Sequence, residues 1–514
     1  MFRLYLFSVL FTICGIAYAE LTVAPSNQFP SEVARKMSDW PMYGHDLQRS
    51  FSNPTSGLNP GNINRLKPAW FFPSNDLFSA QAVVSDGVVY IGGWDGYFYA
   101  LDQRTGALRW RFILDCQNSI VPVPPRCVPP GQTPPPGRET TDGGLVTSSA
   151  AVVDGTVYFG GGRTLYALNA RTGSLRWKRI ICGNPEDPNC ANDDNDQLRI
   201  FSSPAVYRGK VYIGVSADMQ VGYRGAFLAL DADTGAQRWR FEIDPKLDPQ
   251  GNPLLNRQGL PAVGLNRGCG NVWSSASIDT DHNIVAFGTS DCNFGSDRPY
   301  HSAVLALDSE SGRLRWAFAP HANDTAACDF DFGATANVLR IAGKTYFGIG
   351  GKDGTYYTLN ALTKNPYGMV LWSANVVPGG SAGGFYGGAA YDGKRIYSTT
   401  GFGDFYGCSS PFQDPSIHAF DVGNGAVAWE GQFSQSFAAT TVGMGVVFTT
   451  FPGDPSGLPP TMNIYDAAKG TQLANIPLPA SSFAPVTPVA GMVLVPMGNY
   501  PDGSSGGLAA YSLD

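Results

Sequence analysis

Short apolar runs recur along this chain, and each is bounded by a turn signal. Runs such as DGVVYIGG, DGTVYFGG and RGKVYIGV each precede one of a set of similar segments, most of which end in tryptophan. The aligned segments are ALDQRTGALRW, ALNARTGSLRW, ALDADTGAQRW, ALDSESGRLRW, AFDVGNGAVAW, the weaker IYDAAKGTQLA and the stretched TLNALTKNPYGMVLW. Short runs of β-branched and aromatic residues between Asp-Gly or Thr-Gly steps are typical of strands joined by tight turns.

Each repeat predicts four antiparallel strands, which make one blade of a β-propeller. Seven repeats are visible to about residue 475, and the tail from Ser482 supplies three more strands. The missing strand is predicted at Leu66–Phe72, where Trp70 takes the repeated tryptophan position. The sequence therefore predicts an all-β, eight-bladed propeller that the N-terminal strand closes, leaving no exposed sheet edge. The repeated tryptophans are predicted to pack one blade on the next: Trp110, Trp177, Trp239, Trp316, Trp372 and Trp429.

The net charge and the N-terminal residues indicate which partners and which cellular compartment to expect. The net charge is −7, only 15% of residues are charged, and no basic stretch indicates nucleic acid or an acidic membrane surface as a partner. Residues 1–19 combine Arg3, an apolar run and an Ala-Tyr-Ala step, the pattern of a signal peptide. We expect residues 20–514 to form a single periplasmic or secreted domain, without a membrane span elsewhere.

Eight cysteines remain after Cys14 is removed with the signal peptide, and in an oxidising compartment they predict disulfides. Proximity favours Cys116 with Cys127 and Cys182 with Cys190, and leaves the pairing of Cys269, Cys292, Cys328 and Cys408 open. A zinc site is the alternative, but the sequence has no C-x-x-C step. It also has no C-x-x-C-H, the attachment motif of a c-type haem.

The stretch CDFDFGAT, residues 328–335, is the first candidate for chemistry. In an extended strand, Asp329 and Asp331 would share one face and Phe330 and Phe332 the other. Such a pair of carboxylates is either solvated surface or a place to hold a metal and accept a proton. The residues alone leave both interpretations open.

A propeller does not define a function, because the fold carries enzymes, binding modules and scaffolds. The repeated ALDxxTGxxxW motif and the segment DWPMYGHDLQRSFSNPTSGLNPGNINRLKPAWFF, residues 39–72, resemble the quinoprotein alcohol dehydrogenases. The cofactor of that family is pyrroloquinoline quinone (PQQ). The VWSS and DFDFGAT segments are most similar to its polyvinyl alcohol dehydrogenase members. Non-catalytic outer-membrane assembly scaffolds share the tryptophan motif, so the site residues must decide the function.

The resemblance implies two cofactor contacts. PQQ would lie on the face of Trp273 in GNVWSSASID, since a flat aromatic ring suits a planar tricyclic quinone. Lys352 in GGKDGTYYTLN would stand near the quinone oxygens and stabilise negative charge there. The structural alternatives are a core tryptophan and a lysine in a surface turn.

The resemblance also implies a metal, calcium or a lanthanide, held by oxygen ligands and by PQQ. Asp331 matches the base or ligand position, and a shift of two residues makes Asp329 the base and Asp331 an added ligand. The sequence departs from the family at two other ligands. Where the family has a glutamate, this chain offers Asp218 or Gln220, and where the family has an asparagine it has Asp291, with Asn293 nearby.

The function implied is that of an exported PQQ-dependent dehydrogenase acting on primary or secondary alcohols, including bulky or polymeric ones such as polyvinyl alcohol. Asp331 or Asp329 would take the hydroxyl proton, while hydride passes to a quinone carbonyl polarised by the metal and Lys352. Electrons would pass to a separate acceptor, such as a cytochrome c. The alternative is a PQQ-like propeller that has lost its cofactor and serves as a binding or assembly scaffold. The altered glutamate position favours this alternative, and Trp273, Lys352 and the aspartate pair oppose it. A polysaccharide-binding or lyase-type propeller has no residue support.

Overall fold

The computed structural model describes residues 38–114, 146–183, 198–216, 224–264, 270–291, 299–321, 328–363, 369–401, 416–431, 436–453, 457–498 and 506–514. Across these ranges the chain forms 32 strands and one 3-10 helical turn, Ile63–Arg65. None of the helical structure in the described ranges has the length and apolar character that a membrane crossing requires.

The strands make eight antiparallel sheets of four, which confirms the all-β, eight-bladed propeller. Blades 1 and 2 comprise β2 (Val83–Ser85), β3 (Val88–Gly92), β4 (Tyr97–Asp102), β5 (Leu108–Ile113), β6 (Ala151–Val153), β7 (Thr156–Gly161), β8 (Thr164–Asn169) and β9 (Leu175–Ile180). Blades 3 and 4 comprise β10 (Ala205–Tyr207), β11 (Lys210–Val215), β12 (Ala226–Asp231), β13 (Gln237–Glu242), β14 (Ser277–Asp279), β15 (Ile284–Gly288), β16 (Val304–Asp308) and β17 (Leu314–Phe318).

The second half of the ring repeats the same order. Blades 5 and 6 comprise β18 (Asn337–Ile341), β19 (Lys344–Gly350), β20 (Thr355–Asn360), β21 (Val370–Asn375), β22 (Ala390–Tyr391), β23 (Arg395–Thr399), β24 (Ile417–Asp421) and β25 (Val427–Gly431). Blades 7 and 8 comprise β26 (Thr441–Gly443), β27 (Val446–Phe451), β28 (Thr461–Asp466), β29 (Gln472–Pro477), β30 (Thr487–Val489), β31 (Met492–Met497), β32 (Gly507–Ser512) and β1 (Lys67–Pro73).

The N-terminal strand closes the ring, as predicted. Strand β1 pairs antiparallel with β32, from Lys67 opposite Ser512 to Pro73 opposite Gly507. This pairing satisfies the backbone groups of β32 that would otherwise form a free sheet edge. The first and last parts of the propeller are therefore held in one sheet.

An outer ring of tryptophan contacts joins neighbouring blades. Each indole Nε1 donates to a backbone carbonyl of the next blade at 2.8–3.3 Å, from Trp70, Trp110, Trp177, Trp239, Trp316, Trp372 and Trp429. Six of these indoles also cover the glycine of the matching turn in the next blade, as Trp177 covers Gly235. These contacts agree with the structural role that the sequence predicts for the repeated tryptophans.

An inner ring of serine contacts explains the repeated Ser-Ser step before the first strand of a blade. The first serine bonds within its own blade: Ser148 Oγ accepts from Gly160 N at 2.8 Å. The second accepts from the preceding blade, since Gln81 N donates to Ser149 Oγ at 2.8 Å and Ser149 N to Ser203 Oγ at 3.0 Å. The two hydroxyls therefore satisfy intra-blade and inter-blade backbone donors separately.

Residues 40–56 form a segment that contacts all eight blades from inside the ring. Backbone hydrogen bonds of 2.6–3.0 Å join it to seven blades, at Val84, Val152, Ile278, Val338, Tyr391, Val442 and Gly491. The buried Arg49 reaches the remaining blade, since its Nη2 donates to the Pro204 carbonyl at 3.2 Å. Burial lowers the pKa of Arg49 to about 10, which still leaves the side chain charged at neutral pH.

We predict that Gly235→Ala destabilises the propeller more than Gly209→Ala, in the same blade. Both glycines have φ near +70°, so each alanine should cost roughly 1–2 kcal/mol of backbone strain. Only at Gly235 would the new Cβ meet an indole, 2.7 Å from Trp177 Cε3, whereas Gly209 has nothing within 4 Å. This contact should add roughly 1–3 kcal/mol. Urea unfolding of the two variants measures the difference, and equal midpoints would contradict the packing role of the indole.

Candidate active site

A cavity on the ring axis is lined by the same repeat position of every blade. The residue four positions before each first strand faces it: Ser79, Thr147, Phe201, Trp273, Gly333, Tyr386, Phe437 and Phe483. A second tier comes from two positions later: Gln81, Ser149, Ser203, Ser275, Thr335, Ala439 and Pro485. In the first tier, blades 1 and 2 contribute hydroxyl side chains, and five of the other six blades contribute aromatic rings. The second tier is rich in serine and threonine hydroxyls.

Trp273 extends across the cavity wall because the next blade supplies a glycine. A Cβ on Gly333 would lie 1.9 Å from Trp273 Cη2, so the indole occupies the space of that side chain. Its Nε1 donates to Asp331 Oδ2 at 3.3 Å. The ring is thus fixed at one edge beside a buried carboxylate.

Three carboxylates converge next to this indole. Oxygen atoms of Asp291, Asp329 and Asp331 all lie within 4.8 Å of one another. Asp331 is 2% exposed and Asp291 7%, so neither is a solvated surface group. Buried like charges at this spacing repel strongly unless a cation lies between them, and carboxylates are the ligands that hard cations prefer.

The extended strand predicted for residues 328–335 is wrong. Strand β18 begins only at Asn337, and Asp329 has a left-handed backbone with φ of 54°. The Asp331 amide donates to the Asp329 carbonyl at 2.9 Å, which closes a tight turn. The two carboxylates therefore share one side because the chain bends, and strand alternation is not the reason.

Lys352 is the cation that the described residues bring to this cluster. Its Nζ lies 3.0 Å from Asp329 Oδ2 and 3.0 Å from Asp331 Oδ1. It also lies 5.3 Å from the ring centres of both Trp273 and Tyr386. Lys352 is 6% exposed, so the alternative of a surface-turn lysine is excluded.

Burial and charge shift the pKa values of these groups in different directions. Burial raises the pKa of Asp331 to about 7, since Lys352 only partly offsets it and Asp329 adds repulsion. Burial likewise raises the pKa of Asp329. Burial opposes the charged form of Lys352, but the carboxylates, with Asp331 foremost, raise the pKa of the ammonium above its ordinary value. At neutral pH the site pairs a permanent cation with a carboxyl group near its midpoint, which suits a general base.

Tyr386 is a site residue that sequence reasoning missed. Its ring centre lies 6.0 Å from that of Trp273, and its hydroxyl donates to the Ser381 carbonyl. Burial raises the pKa of Tyr386, so its hydroxyl stays protonated at neutral pH. The signal was available, because Tyr386 stands in the same repeat position as Trp273, before the first strand of its blade.

The structure brings together Trp273, Asp291, Asp329, Asp331 and Lys352. The other predicted ligands, Asp218, Gln220 and Asn293, lie outside the described residues. Cys182 takes part in a disulfide bond, and so does Cys328. The remaining cysteines lie outside the described ranges, so the predicted pairings stay predictions.

The comparison with known families identifies the family of this propeller. The family described as PQQ glucose/ethanol/alcohol dehydrogenase, β-propeller domain, matches residues 40–383, more than half of the sequence. This chain belongs to that family. The PQQ dehydrogenase propeller thus accounts for the fold and for the stretch that contains Trp273, the three aspartates and Lys352.

Individual relatives are more distant. The chain is 26% identical over 404 residues to polyvinylalcohol dehydrogenase from Sphingopyxis sp. (strain 113P3), covering 72% of this chain and 55% of the relative. It is 26% identical over 382 residues to quinohemoprotein alcohol dehydrogenase from Comamonas testosteroni, covering 68% of this chain and 48% of the relative. The chain thus spans about half the length of these curated relatives. In fold it is similar to a europium-containing methanol dehydrogenase, with a TM-score of 0.70, 17% identity and coverage of 94% and 100%.

We predict that cation binding to the isolated protein strengthens with pH. A cation must displace the proton of Asp331, whose pKa is raised to about 7. Calcium affinity should therefore rise about tenfold per pH unit below pH ~7 and level off above it, because one proton is released per cation. Isothermal titration calorimetry at several pH values measures this slope. Asp331→Asn should flatten it, and an unchanged slope in that variant would contradict the assignment.

Proposed function

We propose that this protein is an exported PQQ-dependent alcohol dehydrogenase that uses a metal ion. The observation that carries the proposal is the contact set around Lys352, which joins the Trp273 indole to Asp329 and Asp331, two members of the three-carboxylate cluster. Trp273 lines the cavity, and it contacts both Lys352 and Asp331, so a flat aromatic wall lies directly beside a fixed cation and a cluster of oxygen ligands.

The residues fit both groups that the family name and the fold imply. The Trp273 side chain lines the cavity and offers an aromatic surface for a planar ring system. The buried Oδ1 of Asp331 has the Lys352 ammonium 3.0 Å away and no other polar partner among the described residues, so it retains a lone pair with which to bind a metal ion. When bound, PQQ would supply the electron acceptor and the metal ion the Lewis acid that polarises it.

We assign the roles of the protein groups as follows. Asp331 takes the proton of the alcohol hydroxyl, because it is buried against Trp273 and its pKa lies near neutral. Asp329, whose side chain is 21% exposed, serves as a ligand and is the alternative base. Lys352 holds positive charge beside the aromatic wall and stabilises negative charge that develops there. Asp291 is a ligand, and Asp218 or Gln220 and Asn293 complete the predicted set.

The metal is proposed to be calcium or a lanthanide, since the cluster offers oxygen ligands alone. The substrates are proposed to be primary or secondary alcohols, with polyvinyl alcohol as a polymeric candidate from the similarity to polyvinylalcohol dehydrogenase. The printed sequence has no C-x-x-C-H motif, so we propose an electron acceptor outside it, such as a cytochrome c.

Export to the periplasm or the medium is part of the proposal. Residues 1–19 have the pattern of a signal peptide, and they lie outside the described residues. The disulfide bonds of Cys182 and Cys328 support it, because disulfides persist in oxidising compartments.

The decisive experiment mixes the purified protein with PQQ and calcium and follows the reduction of a redox dye. We expect turnover with alcohols from a panel that includes polyvinyl alcohol, and none without PQQ. A repeat with a lanthanide tests the second metal. Absence of both PQQ binding and dye reduction would refute the enzyme and favour the scaffold alternative.

Two matched substitutions test the assignment of the base. Asp331→Asn should lower kcat at least about 100-fold while PQQ still binds, because general-base catalysis contributes about 10²–10⁴. Asp329→Asn should mainly weaken metal affinity. Steady-state kinetics at saturating metal separates the two effects. If only Asp329→Asn abolishes turnover, the base has been assigned to the wrong aspartate.

A further inference from the structure

His321, in the loop after β17, contacts the carboxylate next to Lys352. Its Nε2 lies 2.9 Å from Asp353 Oδ2, which also accepts a 2.5 Å hydrogen bond from the Tyr357 hydroxyl. Asp353 is 8% exposed, and the side chain of His321 is 26% exposed. Blade 4 thereby contacts the turn in blade 5 that carries Lys352.

The same turn occurs in blade 1 without a histidine, which shows what is specific to blade 5. Asp95 accepts hydrogen bonds from Tyr97 N and the Tyr99 hydroxyl, as Asp353 does from Thr355 N and the Tyr357 hydroxyl. In blade 1 the third partner of the carboxylate, in the place of the histidine, is Ser74 Oγ at 3.0 Å. The residue before Asp95 is a tryptophan, at the position that Lys352 takes in blade 5. The histidine thus accompanies the copy of the turn that carries the site lysine.

His321 also contacts the turn that carries the aspartates. Its ring centre lies 5.4 Å from that of Phe330, which stands between Asp329 and Asp331. The backbone already ties Asp331 to Lys352, since the Lys352 amide donates to the Asp331 carbonyl at 3.0 Å. Asp329 is the more exposed of the two carboxylates that contact Lys352. The contact of His321 with Phe330, the residue after Asp329, therefore restrains the turn next to Asp329.

We propose that His321 is a positioning residue that holds the Asp329 turn and the Lys352 turn at a fixed separation. Through Asp353 it fixes the turn from Gly351 to Thr355, and through Phe330 it fixes the turn from Asp329 to Asp331. The carboxylates of Asp329 and Asp331 and the Lys352 ammonium then have fixed relative positions before a cation binds. This inference rests on the proposed function of the same site.

The test compares His321→Ala with Ser74→Ala, which removes the matching partner of Asp95 in blade 1. Calcium affinity is measured by calorimetry, hydrogen exchange at the amides of residues 351–355 by mass spectrometry, and kcat and KM by dye reduction. His321→Ala should weaken calcium binding about tenfold or more, a typical effect of losing a residue that orients metal ligands. It should also speed exchange in this turn and lower kcat more than it changes KM. Ser74→Ala should change none of these, and His321→Gln, which keeps a donor towards Asp353, should fall between.

Equal calcium affinity, exchange and kcat in wild type and His321→Ala would overturn the proposal, even if the thermal stability of His321→Ala were lower. Failure of the wild-type protein itself to bind calcium and PQQ would overturn the proposed function, and this inference with it. Normal wild-type binding that His321→Ala leaves unchanged would overturn the inference alone. The two failures are therefore distinguishable in one set of titrations.

Discussion

The contact between residues 40–56 and all eight blades is the constraint on which the rest of the structure depends. Each first strand is short, with two to five residues, and has little sheet of its own to fix its position. The backbone bonds of this segment hold seven blades, and Arg49 reaches the eighth. Tyr43 of the same segment lines the cavity, so the segment that holds the blades together also contributes to the cavity wall.

Once the blades are fixed, the chemistry arises where single blades depart from the repeat. The position four residues before the first strand is serine, threonine or aromatic in seven blades, and glycine at Gly333. That glycine gives Trp273 its space. The turn that holds Trp94 in blade 1 holds Lys352 in blade 5. Two small departures in blade 5 thus place a flat ring and a cation beside the aspartates.

The fold could be predicted because every blade repeats the same local signals, and because counting strands required Leu66–Phe72 to close the ring. Trp273, Lys352 and the aspartates were found by resemblance, and the structure brings them together. The strand prediction for residues 328–335 was wrong because alternation of side chains between two faces requires an extended backbone, whereas the backbone of Asp329 is left-handed. The repeat position of Tyr386 marks it as a cavity residue, but its contact with Trp273 and the contact of His321 with Asp353 each join two different blades, and no local pattern encodes such contacts.

The net charge of the carboxylate and lysine cluster bears on the predicted ligands Asp218 and Gln220. Once a cation has displaced the proton of Asp331, three ionised carboxylates and the Lys352 ammonium, which lies 3.0 Å from two of them, carry a net charge of −2. A divalent ion neutralises that cluster, whereas a trivalent ion requires one further anionic donor from the protein or the cofactor. Asp218 would supply that charge and Gln220 would not. The choice between these two predicted ligands therefore decides which cation charge the protein balances without a further anion from the cofactor, since an uncompensated charge in a buried site is costly.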